Sequence, residues 1–189
     1  MGLKEEFLRV LHTGEVRRIH FSFKATDNTL VTVNSHSFRR VVRAIENNEI
    51  HFQASTPQHP IPANAMKYRI NNNTTFVGRI NHQSRIFDAL VVHEMVHASL
   101  DLTHSVLPHV DSEAAGYIAQ GFYLRNSNFD QNLLSQGGIE QEVLFGFLIS
   151  QHVAHSGTVP QPSLDELRES LFHNPSYQSI IHGMFVGNG

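Results

Sequence analysis

Residues 93–97 of the chain read HEMVH and place two imidazoles and a carboxylate close together. His93 and His97 are four residues apart, so on a helix they lie on one face with their Cβ atoms about 5–6 Å apart. Two imidazoles in this arrangement can bind one metal ion, and zinc takes nitrogen ligands at about 2.0–2.1 Å. The chain contains no cysteine, so His, Asp or Glu must hold any metal. We expect His93 and His97 to bind one Zn²⁺ per chain.

Glu94 follows His93 directly and points about 100° away from it around a helix. This direction puts the carboxylate beside the metal without making it a ligand. Zinc lowers the pKa of its bound water to about 7, and a nearby carboxylate can then accept the proton as the water attacks a carbonyl. The same carboxylate can deliver the proton to the leaving amine. We therefore predict that Glu94 is a general base.

A catalytic zinc site takes a third protein ligand, and Glu113 is the first candidate for it. Glu113 comes sixteen residues after His97, and a turn through Pro108 would let its helix fold back against the first. In the alternative interpretation, Glu113 only favours the start of a helix through the helix dipole, a contribution of about 0.3–1 kcal/mol. The other candidates for this ligand are His104, His109, Asp111 and Asp101. Asp101 could instead accept a hydrogen bond from the His97 ring or be solvated at the helix end.

Tyr117 lies one helical turn after Glu113 and shares its face. A phenol at this position could donate a hydrogen bond to the oxyanion of a tetrahedral intermediate. Packing in the core is the alternative role for this side chain.

The sequence around the motif is uncharged, although the chain is rich in histidine. With 14 histidines, chance HExxH patterns are commoner here than in an average chain. However, burial of two imidazoles and a carboxylate among apolar residues costs several kcal/mol unless they are paired or bound to metal. A metal-free domain with an accidental motif is therefore the weaker alternative. His152 and His155 also have helical spacing, but they lack an adjacent carboxylate, and we predict a solvated face.

The elements that must position these residues fall into two halves. In the first half, hydrophobic periodicity predicts a helix at 3–11 and a second one that has Ser35 as its N-cap and ends at about Asn47, and strands at 18–25, 29–33 and 50–54. A hairpin is predicted with arms at 66–70 and 76–80. In the second half, helices are predicted at 84–102, from Asp111 as N-cap through Phe122, at 139–154 after Gly137 and Gly138, and from Ser163 onward.

Two stretches of the chain resemble the zincin metallopeptidases. VVHEMVHASLD resembles the metal-binding helix of that family, and DSEAAGYIAQ resembles the glutamate-bearing helix of its gluzincin branch. The resemblance implies zinc ligands at His93, His97 and Glu113 and a catalytic base at Glu94. It also implies an α+β fold, in which a small twisted N-terminal β-sheet is followed by a buried active-site helix and a mostly helical C-terminal half.

The chain also departs from known branches of that family. The elongated metzincin pattern would need a histidine where this chain has Thr103, and His104 is one step out of register. Thermolysin-like gluzincins usually have a longer gap before the glutamate and an aspartate at the place of Tyr117. The first difference disfavours the metzincin branch, and the second separates this chain from the thermolysin-like gluzincins at Glu113 and its surroundings.

The first functional hypothesis is a zinc-dependent hydrolase of peptide or amide bonds that acts on a protein or peptide. We expect the strand around Phe76 to Ile80 to form β-type hydrogen bonds with an extended substrate. The alternative is a catalytically inactive zincin-like domain that binds metal or a protein partner. The presence of Glu94 favours catalysis, because a structural zinc site needs no base and closes its fourth coordination position.

The composition limits the remaining possibilities. A length of 189 residues predicts a single domain, 1–189. A net charge of -3 without a block of Lys or Arg gives no footprint for nucleic acid or an anionic membrane surface. The sequence shows neither a signal peptide nor a membrane span, so we expect a cytoplasmic protein, or one exported without a cleaved signal peptide. The oligomeric state is left open.

Overall fold

A computed structural model describes residues 2–134, 139–153 and 157–189 and shows a mixed α+β chain, as predicted. The helices are α1 Leu3–Leu11, α2 Gly14–Arg17, α3 Ser35–Glu46, α4 Arg85–Asp101, α5 His109–Asn126, α6 Gln131–Leu134, α7 Gln141–Val153 and α8 Gln161–His173. The strands are β1 Phe21–Lys24, β2 Leu30–Val33, β3 His51–Ala54, β4 Met66–Arg69, β5 Thr74–Val77, β6 Val106–Pro108 and β7 Met184–Val186. Gly137, Gly138 and Ala154, assigned above to the third helix of the second half, lie outside the described residues. Within the described ranges, no helix has the length and apolar character needed to cross a lipid bilayer.

The strands before α4 form two separate sheets. β1 and β2 are an antiparallel pair, and a three-stranded sheet has the order β3-β5-β4. β5 is parallel to β3 and antiparallel to β4. The predicted hairpin is confirmed as β4 and β5, with its second arm at Thr74–Val77 rather than 76–80, and its turn ends at Asn73 with φ 49°. Asparagine tolerates this left-handed conformation better than most residues do.

The expectation that the strand around Phe76 to Ile80 offers a free edge is wrong. β5 ends at Val77 and is the central strand, so both of its sides are paired within the sheet. The free edge next to α4 belongs to β4. Alternation of side chains predicts which residues form a strand, but it carries no information about the order of strands in the sheet.

α4 and α5 form the centre of the molecule. Both helices are buried around most of their circumference, as predicted for α4. On its other side α5 packs against α7 with backbones in contact. A Cβ atom on Gly121 would lie 2.1 Å from the carbonyl carbon of Gly146. A Cβ atom on Gly146 would lie 2.1 Å from the backbone carbonyl oxygen of Tyr117. Only glycine allows this close approach.

Two predicted helix starts are wrong. Asn34 rather than Ser35 caps α3, and its side chain accepts hydrogen bonds from the backbone N–H groups of His36 and Ser37. α5 begins at His109, so Asp111 is inside the helix and is not its N-cap. The Asp111 carboxylate is completely buried, and it accepts hydrogen bonds from Thr26 and from the guanidinium of Arg168. This interaction ties α5 to α8 and to the end of β1.

Replacement of Asp111 by alanine tests how much this buried pair stabilises the fold. The change leaves the guanidinium of Arg168, which is 5% exposed, without its buried partner. We expect the free energy of unfolding to fall by about 3–5 kcal/mol, as when one partner of a buried ion pair is removed. Urea unfolding followed by circular dichroism measures the change.

Asp165→Ala is the matched control, because Asp165 binds the same guanidinium at 3.1 Å but is 58% exposed at its side chain. We expect its loss to change the free energy of unfolding by no more than about 1 kcal/mol. Equal effects of the two substitutions would contradict this assignment of the buried pair.

Candidate metal centre

The structure brings the three predicted ligands together in one buried group. His93 and His97 lie on one face of α4, with ring centroids 5.1 Å apart. Glu113 reaches them from α5, with one oxygen 3.3 Å from Nε2 of His93 and the other 3.6 Å from Nε2 of His97. One donor atom from each residue lies within 4.8 Å of the others. This group could hold a metal ion.

The spacing of the donor atoms suits a small tetrahedral cation. Bonds of about 2.0–2.1 Å to zinc place neighbouring ligand atoms about 3.3–3.4 Å apart in a tetrahedron. Two different oxygens of Glu113 lie 3.3 Å from Nε2 of His93 and 3.6 Å from Nε2 of His97, and one donor atom from each of the three residues lies within 4.8 Å of the others. Two imidazole nitrogens and a carboxylate oxygen are also a typical donor set for zinc. The residues present therefore fit the metal that the sequence suggests.

The electrostatics of the group also favour a cation. Burial alone would raise the pKa of Glu113, but His97 and His93 outweigh this effect and hold the pKa well below its usual range. Burial alone would lower the pKa of His93, yet the carboxylates of Glu113 and Glu94 prevail and raise it. The pocket thus stabilises a carboxylate anion facing positive charge. A bound metal ion supplies that charge and releases the protons from the rings.

The other candidates for the third ligand lie elsewhere. Asp111 is bonded to Arg168, and His104 is exposed in a left-handed conformation after α4. His109 lies one turn before Glu113, and burial lowers its pKa, but it is outside the group of three. Asp101 accepts hydrogen bonds from Tyr68 Oη and from the backbone N–H of Asn188, both at 2.7 Å.

Neither of the two alternative roles for Asp101, a hydrogen bond from His97 or solvation at the helix end, is found among the described residues. Asp101 is completely buried rather than solvated, and its carboxylate is turned toward β4 and toward residues after β7. Nδ1 of His97 is buried without a hydrogen-bond partner among the described residues. Spacing along a helix indicates which residues share a face, but it does not say which strand packs beside them.

His152 and His155 were predicted to form a solvated face. His152 is exposed near the end of α7, and its Nδ1 lies 2.9 Å from the carbonyl oxygen of Leu148. The prediction is confirmed for His152, while His155 lies outside the described residues.

Tyr117 lies beside the group, as its spacing from Glu113 predicts. Its ring packs edge-on against His93, with centroids 4.6 Å apart. Its hydroxyl donates a hydrogen bond to Glu140 and lies 2.7 Å from the hydroxyl of Tyr177. The phenol is thus engaged with protein groups, and its role as an oxyanion donor stays a prediction. Tyr177 was not found from the sequence, because nothing in its local pattern links it to α5.

Two further residues of α5 complete the surroundings of His93. Oε1 of Gln120 lies 3.2 Å from Nδ1 of His93 and can accept its hydrogen bond. A bond of this kind fixes the ring orientation of a metal-binding histidine. A Cβ atom on Gly116 would lie 2.7 Å from Nε2 of His93, so the imidazole occupies the space of a missing side chain. Helical spacing from Glu113 could have identified both residues, since all of them share one face.

The predicted base Glu94 is buried and is held by β4. Its Oε2 accepts a hydrogen bond of 2.6 Å from the backbone N–H of Tyr68. In an antiparallel pair, successive residues turn their N–H groups toward opposite sides. Because the N–H of Tyr68 points to Glu94 and away from β5, the outer edge of β4 faces the base. The same strand therefore forms the edge of the sheet and one wall of the site.

Gly116→Ala tests whether the space beside His93 is needed. The added methyl group would displace the imidazole, so we expect the zinc dissociation constant to rise about 10–100-fold, as for the loss of a group that orients a ligand. Competition with a chromophoric chelator measures zinc affinity in protein without a histidine tag.

Gly14→Ala is the matched control for this substitution. Gly14 is also helical, but its Cβ would meet only the side chain of Arg18 at 3.9 Å, an ordinary contact. Zinc affinity equal to wild type in both variants would contradict the assigned role of Gly116.

No protein-family model matches the chain, and neither a curated protein nor a solved structure matches it. The resemblance to zincins therefore rests on the residues of α4 and α5 quoted above. The three buried donors and the adjacent carboxylate of Glu94 are the features of the chain that indicate a function.

Proposed function

We propose that the chain is a zinc-dependent hydrolase of peptide or amide bonds with a zincin-like fold. One observation carries the proposal: a buried carboxylate, Glu94, stands next to a three-donor group that can hold a metal ion. The group is built as a zincin site would be, with two histidines on one helix and a glutamate on the next. The β-sheet before α4 and the helices after it are consistent with that fold.

The proposed metal is zinc, held by His93, His97 and Glu113. Three protein ligands leave one position of a tetrahedron open, which is typical of catalytic rather than structural zinc sites. When bound, zinc supplies Lewis-acid chemistry and makes water a nucleophile near neutral pH. The apolar residues around the donors exclude bulk water and strengthen the electrostatic interactions inside the site.

Glu94 acts as the general base in this proposal. The hydrogen bond from Tyr68 fixes its Oε2, which leaves Oε1 to accept a proton from the attacking water. Glu94 then passes this proton to the nitrogen of the leaving amine, so that the amide bond breaks without release of an unstable amide anion. A positioned carboxylate of this kind contributes about 10²–10⁴-fold to the rate.

The proposed substrate is an extended segment of a protein or peptide that lies along β4. An edge strand has unpaired N–H and C=O groups on its outer side, where a peptide can add as a further strand. The backbone of Met66 faces the same side as that of Tyr68, because alternate residues share a side. Because the N–H of Tyr68 is already bonded to Glu94, a peptide on this edge would pair with the backbone of Met66 and the carbonyl group of Tyr68, next to Glu94.

Glu94→Gln separates hydrolysis from metal binding. The amide has nearly the same size but cannot accept the proton, so we expect the rate to fall by at least about 10²-fold. Zinc content should stay near one ion per chain, because Glu94 is not a ligand. Peptide libraries analysed by mass spectrometry give the rate, and elemental analysis gives the zinc content. Equal activity of both proteins, including none, would contradict catalysis and favour an inactive metal-binding domain.

Glu113→Ala tests the third ligand. It removes the only carboxylate of the described donor group, and we expect zinc to be lost during dialysis, as in His97→Ala. His104→Ala is the control, because His104 is an exposed histidine three residues after α4. If Glu113→Ala retained zinc as tightly as His104→Ala does, another residue would have to be the third ligand.

A further inference from the structure

The two histidines of the metal centre are oriented in different ways. His93 has a hydrogen-bond partner at each ring nitrogen, Glu113 and Gln120. His97 has none at Nδ1, although that atom is buried. A buried polar group without a partner costs about 1–3 kcal/mol, and metal-binding histidines almost always use their second nitrogen to fix the ring. Some other contact must therefore set the plane of the His97 ring.

Phe185 of β7 provides that contact. Its ring is stacked on His97, with centroids 6.1 Å apart and planes inclined by 25°. Aromatic pairs attract one another at centroid separations of about 4.5–7 Å. Phe185 is 3% exposed. A second ring, that of His109, contacts it edge-on at a centroid distance of 6.1 Å. Because no hydrogen bond at Nδ1 fixes the His97 imidazole among the described residues, the flat face of Phe185 is the contact that limits rotation of this ring.

The end of α4 holds the segment that carries Phe185. We call Met184–Gly189 the β7 segment. Asn188 and Gly189 donate backbone hydrogen bonds of 2.7 and 3.2 Å to Oδ1 of Asp101, which lies one turn beyond His97. Gly187 is buried, and a Cβ atom on it would lie 2.9 Å from Cα of Asp101. The end of α4, one turn after the ligand His97, therefore fixes the distance between the β7 segment and His97.

A second contact links the same carboxylate to the base. Tyr68 donates its hydroxyl hydrogen bond to Oδ2 of Asp101 and its backbone N–H to Oε2 of Glu94. Asp101 thus joins β4, α4 and the β7 segment at one point. Among the described residues Asp101 has no Lys or Arg partner, and its carboxylate is instead stabilised by hydrogen bonds from one phenol and two backbone amides.

We propose that the β7 segment positions His97 for the metal, with Phe185 as the positioning residue and Asp101 as the anchor of the segment. The inference rests on the metal site of the proposed function. It goes beyond the proposed function because it assigns part of the metal affinity to the β7 segment, which is distant in sequence from the metal ligands and contributes none of them.

Zinc affinity of the full chain, without a histidine tag, tests this assignment. Phe185→Ala should raise the zinc dissociation constant about 10–100-fold, the range for loss of a group that orients a ligand. Met184→Ala is the matched control, because Met184 is the preceding residue and is 48% exposed. It should bind zinc within about twofold of wild type, since its side chain lies outside the core.

Phe185→Leu separates positioning from simple packing. Leucine keeps more of the buried apolar volume than alanine does, so the unfolding midpoint of the metal-free protein should fall less than in Phe185→Ala. It has no flat face, so zinc affinity should still fall, and the visible absorption of bound Co²⁺ should change because the ligand geometry changes. Gly187→Ala should also weaken zinc binding, because the added methyl group pushes the segment away from Asp101.

The outcomes distinguish the two proposals. Zinc affinity and the Co²⁺ spectrum equal to wild type in Phe185→Leu would show that Phe185 only fills space and would overturn the positioning role. The positioning role would also be overturned if every variant lost zinc affinity only in proportion to its loss of folding stability. Failure of the wild-type chain to bind zinc would instead contradict the proposed function itself, and with it this inference.

Discussion

The site depends on the burial of a carboxylate between two imidazoles. Glu113 is 7% exposed, and the transfer of such a charge out of water is expensive unless an opposite charge faces it. His93 and His97 face it from the neighbouring helix, and they hold the pKa of Glu113 well below its ordinary value. The rings supply this positive charge when they are protonated, and a bound metal ion would supply it in place of the protons. The three side chains could therefore hold a metal ion.

The rest of the molecule keeps these three side chains in place. α4 and α5 must pack closely enough for Glu113 to reach both rings, and Gly116 makes room for His93 at their contact. α5 is held in turn by α7 through Gly121 and Gly146 and by α8 through the buried pair of Asp111 and Arg168. On the other side of α4, Tyr68 holds Glu94, and Asp101 connects β4 to the β7 segment. Packing of α5 thus holds His93 and Glu113, while β4 holds Glu94 and the β7 segment is bound to the end of α4.

The sequence predicted the parts of the site that depend on local spacing. The positions of His93, Glu94 and His97 on one helix follow from the helical period, and Glu113 could be proposed because a turn at Pro108 allows the next helix to fold back. The hairpin of β4 and β5 could be predicted for the same reason. The sequence did not predict that β4 is the edge strand, that Asp111 pairs with Arg168, or that Phe185 packs on His97. These contacts join residues far apart in the chain, and no local pattern encodes which distant partners meet.

The most direct test of the account is an X-ray diffraction experiment at the zinc absorption edge, on crystals of untagged protein grown with zinc. We predict one anomalous peak per chain within about 2.0–2.1 Å of Nε2 of His93, Nε2 of His97 and a Glu113 oxygen, with Glu94 beside it but not bound to it. If zinc-replete crystals showed no peak there, with the two imidazoles bonded only to protein groups, the central claim would be contradicted.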